Sequence, residues 1–338
     1  MSQPSQPSSD TPLQREPNAL WLEFTRRAMA CQFDILLHPN QPPEGPEAAV
    51  RALEMIEYLE GLLSVYIPTS DLSRLNHRGK ESWVELSLPA TEMLQIGLDI
   101  FRQTDGAFDL TAAKLSDLWG FSSRKGAMPT QAQIDIALQS VGSQHLELLG
   151  DEQRARFLAD IAVNPGGIGK GYAIDQAVAI LRENGVNDFA LHGGKSSMVG
   201  YGKQLLSDPK PGWKIAVRHP EQSERILGTL LLTNRALGTS GPANQFFYFR
   251  GVRYGHIINP KTGWPASGML SVTVTHPSAT WADALATGLY VMGIDQAVAF
   301  CESHPDVGLL AILPAKREGE VELVTCNLTE EQWTPATT

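Results

Sequence analysis

A glycine-rich turn is the part of this sequence that most clearly indicates a ligand. Residues 164–175, Asn-Pro-Gly-Gly-Ile-Gly-Lys-Gly-Tyr-Ala-Ile-Asp, contain four glycines and Lys170. Glycine lets the backbone approach a ligand closely. Residues 171–184 have apolar side chains at helical spacing, so the turn leads into a helix N-terminus. Free N–H groups and the helix dipole favour an anion there, which indicates a phosphate-bearing ligand. A tight turn without a ligand is the alternative for this segment alone.

The turn matches neither of two common phosphate-binding motifs. A P-loop requires a glycine, four residues and then Gly-Lys-Ser/Thr. If Gly169 and Lys170 are the Gly-Lys pair, the first glycine position holds Asn164 and the hydroxyl position holds Gly171. A dinucleotide fingerprint requires Gly-x-Gly-x-x-Gly, whereas Gly167, Gly169 and Gly171 are evenly spaced. A phosphate site in this turn is therefore of another type.

Asp283 and Thr287 form a second candidate site. Both lie in a predicted helix, and their spacing of four residues places the two side-chain oxygens on one helix face. Mg²⁺ prefers oxygen ligands and keeps water or phosphate in its remaining positions. The pair could therefore begin a magnesium site. An aspartate near a helix start more commonly caps the helix or interacts with its dipole, and this is the alternative.

His256 and two aromatic residues complete the candidates. The sequence His-Ile-Ile-Asn-Pro-Lys-Thr-Gly, residues 256–263, places His256 near a strand end, before a proline-glycine turn. A histidine there can act as a general base at neutral pH. A surface or packed histidine is the alternative. Tyr66 and Phe108 lie beside loops and could stack on a flat ring, although simple packing also accounts for them.

The elements that position these residues predict one α+β domain rather than two. Period-two patterns predict strands at residues 23–38, 189–192, 213–218, 228–233, 246–249, 271–276, 307–313 and 321–325. Helical spacing predicts helices at residues 47–65, 89–104, part of 109–121, 129–140, 171–184, 280–292 and 295–303, with a loop at 64–76. We expect mixed sheets flanked by helices in a single large domain at residues 19–334. Residues 1–18 are rich in Ser, Pro and Gln and predict a disordered tail.

Composition excludes several classes of protein. The 27 basic and 37 acidic residues give a net charge of −10, and no Lys/Arg cluster resembles a nucleic-acid-binding surface. No apolar run is long enough to cross a bilayer. The three cysteines have neither CxxC nor zinc spacing and predict reduced thiols. The first residues do not resemble a secretory signal. The sequence as written thus predicts a cytoplasmic protein, or an exported one if a leader was removed.

Short blocks spread along the chain resemble, in this order, the ApbE-type flavin transferases (FAD:protein FMN transferases). The blocks are residues 28–33 (AMACQF), 64–66 with 70–76, 104–109 (TDGAFD) with 118–121 (LWGF), 166–172 (GGIGKGY) with Asp175, 236–241 (ALGTSG), 256–263, and 282–287 (ADALAT) with Gly293. The resemblance extends from about residue 21 to the C-terminal strands. The shared order favours a functional interpretation of the glycine turn and of Asp283.

The resemblance implies an activity and a set of site residues. Members of the family bind FAD with Mg²⁺, cleave its pyrophosphate, transfer FMN to a Thr or Ser hydroxyl of an acceptor protein and release AMP. The positions implied to hold FAD and its nucleotide are Met29, Tyr66, Ala107, Phe108, Asp109, Asn164 and Lys170. The implied metal ligands are the Gly167 carbonyl and the side chains of Asp283 and Thr287. His256 matches the histidine that activates the acceptor hydroxyl.

Three single positions and one block depart from the family pattern. The acidic residue that usually opens the glycine turn is Asn164 here, and the usual Gly-Gly-Asp ends in Lys195. The usual aspartate after His-Ile-Ile is Asn259, and Met-Ala-Cys at residues 29–31 replaces Met-Gly-Thr. Three carboxylates have thus become neutral or basic. The altered block at residues 29–31 changes the backbone freedom near the expected flavin.

These departures leave two alternatives to a protein flavin transferase. One is an FAD pyrophosphatase, which would pass FMN to water instead of to a protein. The other is a non-catalytic FAD-binding protein. Retention of Asp283, Thr287 and His256 favours an enzyme over a binding protein. The sequence does not identify the acceptor protein.

Overall fold

Sixteen strands and eight helices are found in the computed structural model, which describes residues 21–205, 210–242, 245–317 and 319–336. The helices are α1 (Gly45–Leu63), α2 (Asp71–Arg78), α3 (Leu88–Gln103), α4 (Ala113–Leu118), α5 (Gln131–Leu138), α6 (Gly169–Glu183), α7 (Ala279–Met292) and α8 (Ile294–Ser303). The strands are β1 (Leu22–Ala28), β2 (Cys31–Leu37), β3 (Val84–Glu85), β4 (Leu146–Leu149), β5 (Arg154–Phe157), β6 (Phe189–Gly193), β7 (Ser197–Tyr201), β8 (Trp213–Arg218), β9 (Ile226–Leu232), β10 (Arg235–Ser240), β11 (Phe246–Phe249), β12 (Val252–Gly255), β13 (Ser271–His276), β14 (Gly308–Pro314), β15 (Val321–Cys326) and β16 (Trp333–Pro335). The tail predicted at residues 1–18 lies outside the described residues, so the tail and the domain boundary stay predictions.

Eight strands form the central sheet in the order β1-β2-β6-β7-β10-β13-β14-β15. Neighbouring described strands in this sheet pair antiparallel throughout. The α+β class is therefore confirmed, but the expectation of mixed sheets is wrong in strand direction. Short turns account for the antiparallel direction of three neighbouring pairs, β1–β2, β6–β7 and β14–β15, whereas longer connections join the other four pairs.

The two faces of the central sheet bury different cores. Alternation along β2 turns Phe33 and Ile35 toward α1, α6 and α7, where they join the main apolar core. Leu36 points to the opposite face and packs in a second core with Trp213 and Leu230 of the small sheet β16-β9-β8. The helical face is the one that carries the candidate site residues of α6 and α7.

A third, smaller core stands beside the main one. It contains Leu115, Trp119, Phe121, Ile134 and Ile258, and it joins α4 and α5 to the hairpin β11–β12. The Trp119 indole N–H donates to the Gly263 carbonyl oxygen at 2.8 Å. This aromatic core therefore fixes the segment that carries His256.

Two predicted elements are wrong in their extent. The strand predicted at 23–38 is a hairpin of β1 and β2, because Met29 and Ala30 adopt positive φ angles of 50° and 59° and reverse the chain. The loop predicted at 64–76 contains α2, which starts after Ser70, whose side chain accepts a hydrogen bond from the Ser73 N–H. Strands β7 and β10 at the centre of the sheet were not predicted at all.

The described residues also bear on compartment and thiols. Within the described ranges, no helix combines the length and the apolar character needed to cross a membrane. The three cysteines are free thiols. Burial raises the pKa of Cys31 to about 11 and that of Cys301 to about 12, so both stay protonated at neutral pH. A cytoplasmic location stays a prediction.

Candidate active site

Close packing of backbones positions Asp283 on α7. Helix α7 packs against both β10 and α6. A Cβ atom at Gly238 of β10 would lie 2.3 Å from the Ala282 carbonyl oxygen, and one at Gly171 of α6 would lie 2.2 Å from the Ala279 carbonyl oxygen. Only glycine permits such approaches. The two glycines thus bring α7 against its neighbours and leave Asp283 buried, with 6% of its surface exposed.

Asp175 of α6 fixes the first turn of α7. Its carboxylate accepts hydrogen bonds from the backbone N–H groups of Ala279 and Thr280 at 2.7 and 2.9 Å. The hydroxyls of Ser278 and Thr280 donate to it as well, each at 2.6 Å. Ser278 is the N-cap of α7, since its side chain accepts from the Trp281 N–H. Asp283 therefore does not cap its own helix, and that alternative is wrong.

The Asp283 carboxylate faces three donors. Ser197 Oγ donates to Oδ1 at 2.8 Å, and the Gly171 N–H donates to Oδ2 at 3.1 Å. The Lys170 ammonium lies 3.4 Å from Oδ2. These contacts compensate the cost of burying a charged carboxylate. Asp283 is thereby held at the N-terminal turn of α6, which is where the glycine-rich turn was expected to attract an anion.

Thr287 and Gly167 lie beside Asp283. Thr287 is one helical turn further along α7, and its Oγ1 is 3.1 Å from Ser240 Oγ. A Cβ at Gly167 would lie 3.6 Å from Thr287 Oγ1 and 3.2 Å from the Phe108 ring, so a side chain there would fill this space. A carboxylate, a hydroxyl and a backbone carbonyl are hard oxygen donors of the kind Mg²⁺ accepts. The residues present therefore fit a magnesium ion.

His256 is held in a form suited to accepting a proton. It directly follows β12, and its Nδ1 lies 3.2 Å from the Gln245 carbonyl oxygen. A carbonyl oxygen only accepts, so Nδ1 carries the hydrogen and Nε2 keeps its lone pair. Burial lowers the pKa of His256 below its usual 6.5, and the nearby Lys170 cation lowers it further, against the opposing effect of the Gln245 hydrogen bond. The imidazole is therefore neutral at pH 7.

One cavity of about 1150 Å³ joins these residues. Ten of the eleven site residues expected from the sequence line it, namely Tyr66, Ala107, Phe108, Asp109, Asn164, Gly167, Lys170, His256, Asp283 and Thr287. Met29 is not among the lining residues; it sits in the β1–β2 turn and packs against the main core. The cavity is slightly larger than the usual range of small-molecule sites, roughly 300–1,000 Å³.

Asp109 and Tyr66, which both line the cavity, differ in how firmly neighbouring residues hold their side chains. The Asp109 carboxylate accepts hydrogen bonds from Thr111 N–H at 2.8 Å, Thr111 Oγ1 at 2.6 Å and Ser143 Oγ at 2.6 Å. Its role is therefore to hold the turn that carries Ala107 and Phe108. Tyr66, in contrast, is 83% exposed and is free to cover a flat ligand.

The asparagines that replace acidic residues keep the local turns. Asn164 Oδ1 accepts from the Gly166 N–H at 2.8 Å, and Asn259 Oδ1 accepts from the Lys261 N–H at 2.9 Å. An amide oxygen serves this purpose as well as a carboxylate oxygen does. Lys195 lines the cavity. Both asparagines thus hold their local turns, and the cavity lining has a neutral residue at position 164 and a basic one at position 195.

Several residues that shape the site were not found from the sequence. Ser197 holds Asp283, Gln245 fixes the His256 tautomer, and Ser240 contacts Thr287. Ser240 lies in the block at 236–241, which could have drawn attention to it. The roles of Ser197 and Gln245 depend on contacts with distant parts of the chain, and neither residue carries a local signal.

Comparison with known proteins identifies the family. Residues 29–311 match the model of the ApbE family. This chain belongs to the ApbE family. The FAD:protein FMN transferase of Salmonella typhimurium is 32% identical over 267 residues, which is 77% of this chain and 74% of that protein. The FAD:protein FMN transferase of Vibrio cholerae is 30% identical over 255 residues, covering 74% of this chain and 75% of the relative.

Solved ApbE structures share the fold. The crystal structure of the ApbE protein from Thermotoga maritima aligns with a TM-score of 0.79 at 28% identity, covering 90% of this chain and 96% of that chain. The flavin transferase ApbE from Vibrio cholerae aligns with a TM-score of 0.76 at 26% identity, covering 91% and 97%. The expected ApbE membership and the ApbE-like α+β fold are confirmed.

Proposed function

We propose that this ApbE-family chain is an Mg²⁺-dependent FAD:protein FMN transferase. Its substrates are FAD and an acceptor protein with a Thr or Ser hydroxyl, and its products are the flavinylated acceptor and AMP. The observation that carries the proposal is that one cavity joins Asp283, Thr287 and Gly167 to Lys170 and to a neutral His256. The names of the curated relatives support the same activity.

The glycine turn and α6 supply the binding site for the pyrophosphate. Lys170 lies in the first turn of α6, where its ammonium and the helix dipole favour negative charge. Ala107 and Phe108 form the wall next to Gly167, and Tyr66 lies at the exposed side. We assign the flavin ring to the surface of these aromatic residues and the phosphates to the side of Lys170.

Asp283, Thr287 and the Gly167 backbone would hold the metal. When bound, Mg²⁺ supplies Lewis acidity at the phosphoryl oxygens and neutralises their charge. Ser197 and the Gly171 N–H keep the Asp283 carboxylate oriented toward the cavity. Such outer contacts fix the direction of a ligand and strengthen its binding.

The transfer step needs one proton acceptor. The acceptor hydroxyl oxygen forms a bond to the phosphorus of the FMN half of FAD, while the bond from that phosphorus to the bridging oxygen breaks and AMP leaves. The hydroxyl proton passes to Nε2 of His256, which is free because Nδ1–H is engaged by the Gln245 carbonyl. Lys170 adds positive charge beside the phosphates as negative charge shifts to AMP.

The test follows three products in one reaction. The protein is incubated with FAD and a library of peptides that each contain one threonine, with and without Mg²⁺. We expect AMP release only with Mg²⁺ and a mass increase of the threonine peptide equal to FMN less one water, as a phosphoester requires. Equal amounts of AMP and free FMN with unlabelled peptides would identify a pyrophosphatase. Bound but intact FAD would identify a binding protein.

A further inference from the structure

The hairpin β11–β12 leads directly to His256. Phe246 pairs with Gly255 and Phe249 pairs with Val252 across the two strands. The ladder continues one step beyond them, because the His256 N–H donates to the Gln245 carbonyl at 3.2 Å. Among the described strands, no third strand pairs with this hairpin. Its outer edges are therefore open to an added strand.

The hairpin exposes a concentration of large apolar side chains. Phe246, Tyr248, Phe249 and Val252 are 41%, 65%, 38% and 53% exposed, and all four lie within seven residues. The other large exposed apolar residues of the described chain are spread along it. The strand register places Phe246 and Tyr248 on one face of the hairpin and the paired residues Phe249 and Val252 on the other. Exposed apolar side chains concentrated in one segment mark an interaction site more often than single exposed residues do.

The hairpin is anchored and therefore presents these side chains in a fixed arrangement. Phe247 and Tyr254 point toward the aromatic core and stack on each other with ring centroids 5.5 Å apart. Tyr254 also stacks on Trp119 at 5.6 Å. A pre-arranged aromatic surface loses little conformational freedom when a partner binds.

The charge of the hairpin differs from that of the whole chain. Residues 245–258 contain Arg250 and Arg253 and no carboxylate, although the chain carries a net charge of −10. Arg253 covers the Phe246 ring at 4.0 Å. In the α4–α5 loop, Arg124 and Lys125 are exposed and line the same cavity as Phe246. Arg253 is already paired with Glu221, so the attraction comes from Arg250, Arg124 and Lys125. An acidic partner segment is therefore attracted here, whereas a second copy of this acidic chain would be repelled overall.

We propose that the β11–β12 hairpin is the docking surface for the acceptor protein. The acceptor adds an extended segment to the hairpin edge, and its alternating side chains place apolar residues against Tyr248 on one face and against Val252 on the other, with acidic residues near Arg250. This inference rests on the proposed transferase function. Val252 precedes His256 by four residues, about 13 Å at ~3.3 Å per residue. The apolar residue therefore lies about four positions from the Thr or Ser that receives FMN.

A peptide selection tests this surface. Peptides with one fixed threonine and random flanking residues are incubated with FAD, Mg²⁺ and the full chain, and the flavinylated peptides are isolated and sequenced. We expect enrichment of apolar residues about four positions from the threonine, together with Asp or Glu. The double variant Tyr248→Thr/Val252→Thr keeps residues suited to strands and should reduce transfer to the enriched peptides roughly tenfold.

The matched control replaces exposed apolar residues elsewhere. Tyr58 and Leu158 are 56% and 59% exposed and do not line the cavity. The double variant Tyr58→Thr/Leu158→Thr should transfer FMN to the same peptides as the unaltered chain. FAD affinity, measured by calorimetry, should be unchanged in both double variants, because Tyr248 and Val252 also lie outside the cavity lining.

Three outcomes would overturn the proposal. The first is the same peptide preference in the hairpin variant as in the unaltered chain. The second is an unchanged peptide preference of the hairpin variant together with the loss of another kind of binding. Lost binding to anionic phospholipid vesicles would assign the surface to a membrane, and lost self-association in sedimentation would assign it to a second copy of the chain. The third is FAD hydrolysis without transfer to any peptide, which would overturn the transferase function itself and is distinguished by free FMN.

Discussion

At the scale of single residues, Asp283 combines a structural and a chemical role. We expect Asp283→Asn to lower Mg²⁺-dependent AMP release by about 100-fold or more, because a neutral amide replaces the charged ligand. The amide NH₂ would also face Ser197 or the Gly171 N–H, at a cost of about 1–3 kcal/mol in stability. AMP is measured against Mg²⁺ concentration, and the melting temperature is recorded in parallel. Exposed Asp160→Asn is the control. Unchanged AMP release would leave Asp283 as a packing residue.

The Lys170 ammonium supplies the positive charge beside Asp283 that a bound metal ion would otherwise supply. Its ammonium is 3.4 Å from the carboxylate, and its side chain is only 22% exposed. Removal of this cation should therefore favour a divalent ion at Asp283. We expect Lys170→Met to bind Mn²⁺ in the absence of FAD on the order of tenfold more tightly. The same variant should bind FAD more weakly. Mn²⁺ binding is followed by electron paramagnetic resonance. If Lys170→Met bound Mn²⁺ as tightly as the unaltered chain or more weakly, the idea that Lys170 and the metal ion compete for Asp283 would be contradicted.

His256 should matter for transfer far more than for FAD binding. His256→Ala is expected to slow FMN transfer by about 10²–10⁴-fold and to leave FAD affinity nearly unchanged, with exposed His77→Ala as the control. The neutral imidazole is the reactive form, and its pKa lies below 6.5. The transfer rate should therefore be at its maximum at neutral pH and should decrease as the pH falls through that lowered pKa. Equal loss of transfer and of FAD binding in His256→Ala would make His256 a positioning residue.

At the scale of elements, the contact between α6 and α7 decides whether the site forms. A Cβ at Gly171 would lie 2.8 Å from the Asp283 Cβ as well as close to the α7 backbone. We expect Gly171→Ala to cost about 1–3 kcal/mol and to lower AMP release, because the helices must move apart. Gly61 of α1 is the matched control, since a Cβ there meets nothing within 4 Å. Gly61→Ala should stabilise by about 0.5–1 kcal/mol. If Gly171→Ala and Gly61→Ala shifted the melting temperature in the same direction, this explanation of the α6–α7 contact would be contradicted.

The elements differ in how well the sequence predicts them. Strands β8 and β13 match their predicted bounds, because Trp213–Arg218 and Ser271–His276 alternate apolar and polar or β-branched residues. Strand β10 was missed because Arg-Ala-Leu-Gly-Thr-Ser has little strand propensity. Its place at the centre of the sheet depends on Gly238, whose lack of a side chain admits α7. Contacts with distant residues, which local patterns do not contain, decide such strands.

At the scale of the whole molecule, the sequence predicted the fold class and residues that the fold brings to one cavity, but it missed strands β7 and β10 of the central sheet. Collinear motifs identified ten cavity residues because each motif needs particular residue types. Met29 does not line the cavity, and its role at the flavin stays a prediction. It lies in a turn of two non-glycine residues at positive φ, which no Asn-Gly or Gly signal in the sequence predicts. The docking surface proposed on the hairpin could not be predicted from the sequence either. The exposure of its side chains and the lack of a third described strand are properties of the folded chain.

The cavity lies between two separately packed cores, and this leads to a prediction for ligand stabilisation. Asp283 and Gly167 belong to the side of the main core, whereas Phe121 and His256 belong to the side of the aromatic core. A ligand that contacts both sides stabilises the folded state by about 2.7 kcal/mol at 100 times its Kd. FAD carries the phosphates that Lys170 would bind in addition to the flavin, whereas riboflavin lacks these phosphates. We therefore expect FAD to raise the melting temperature more than riboflavin or AMP at equal concentration, and to lose this advantage in Lys170→Met. Equal shifts with FAD and riboflavin in differential scanning fluorimetry would show that the pyrophosphate makes no contact with the glycine turn.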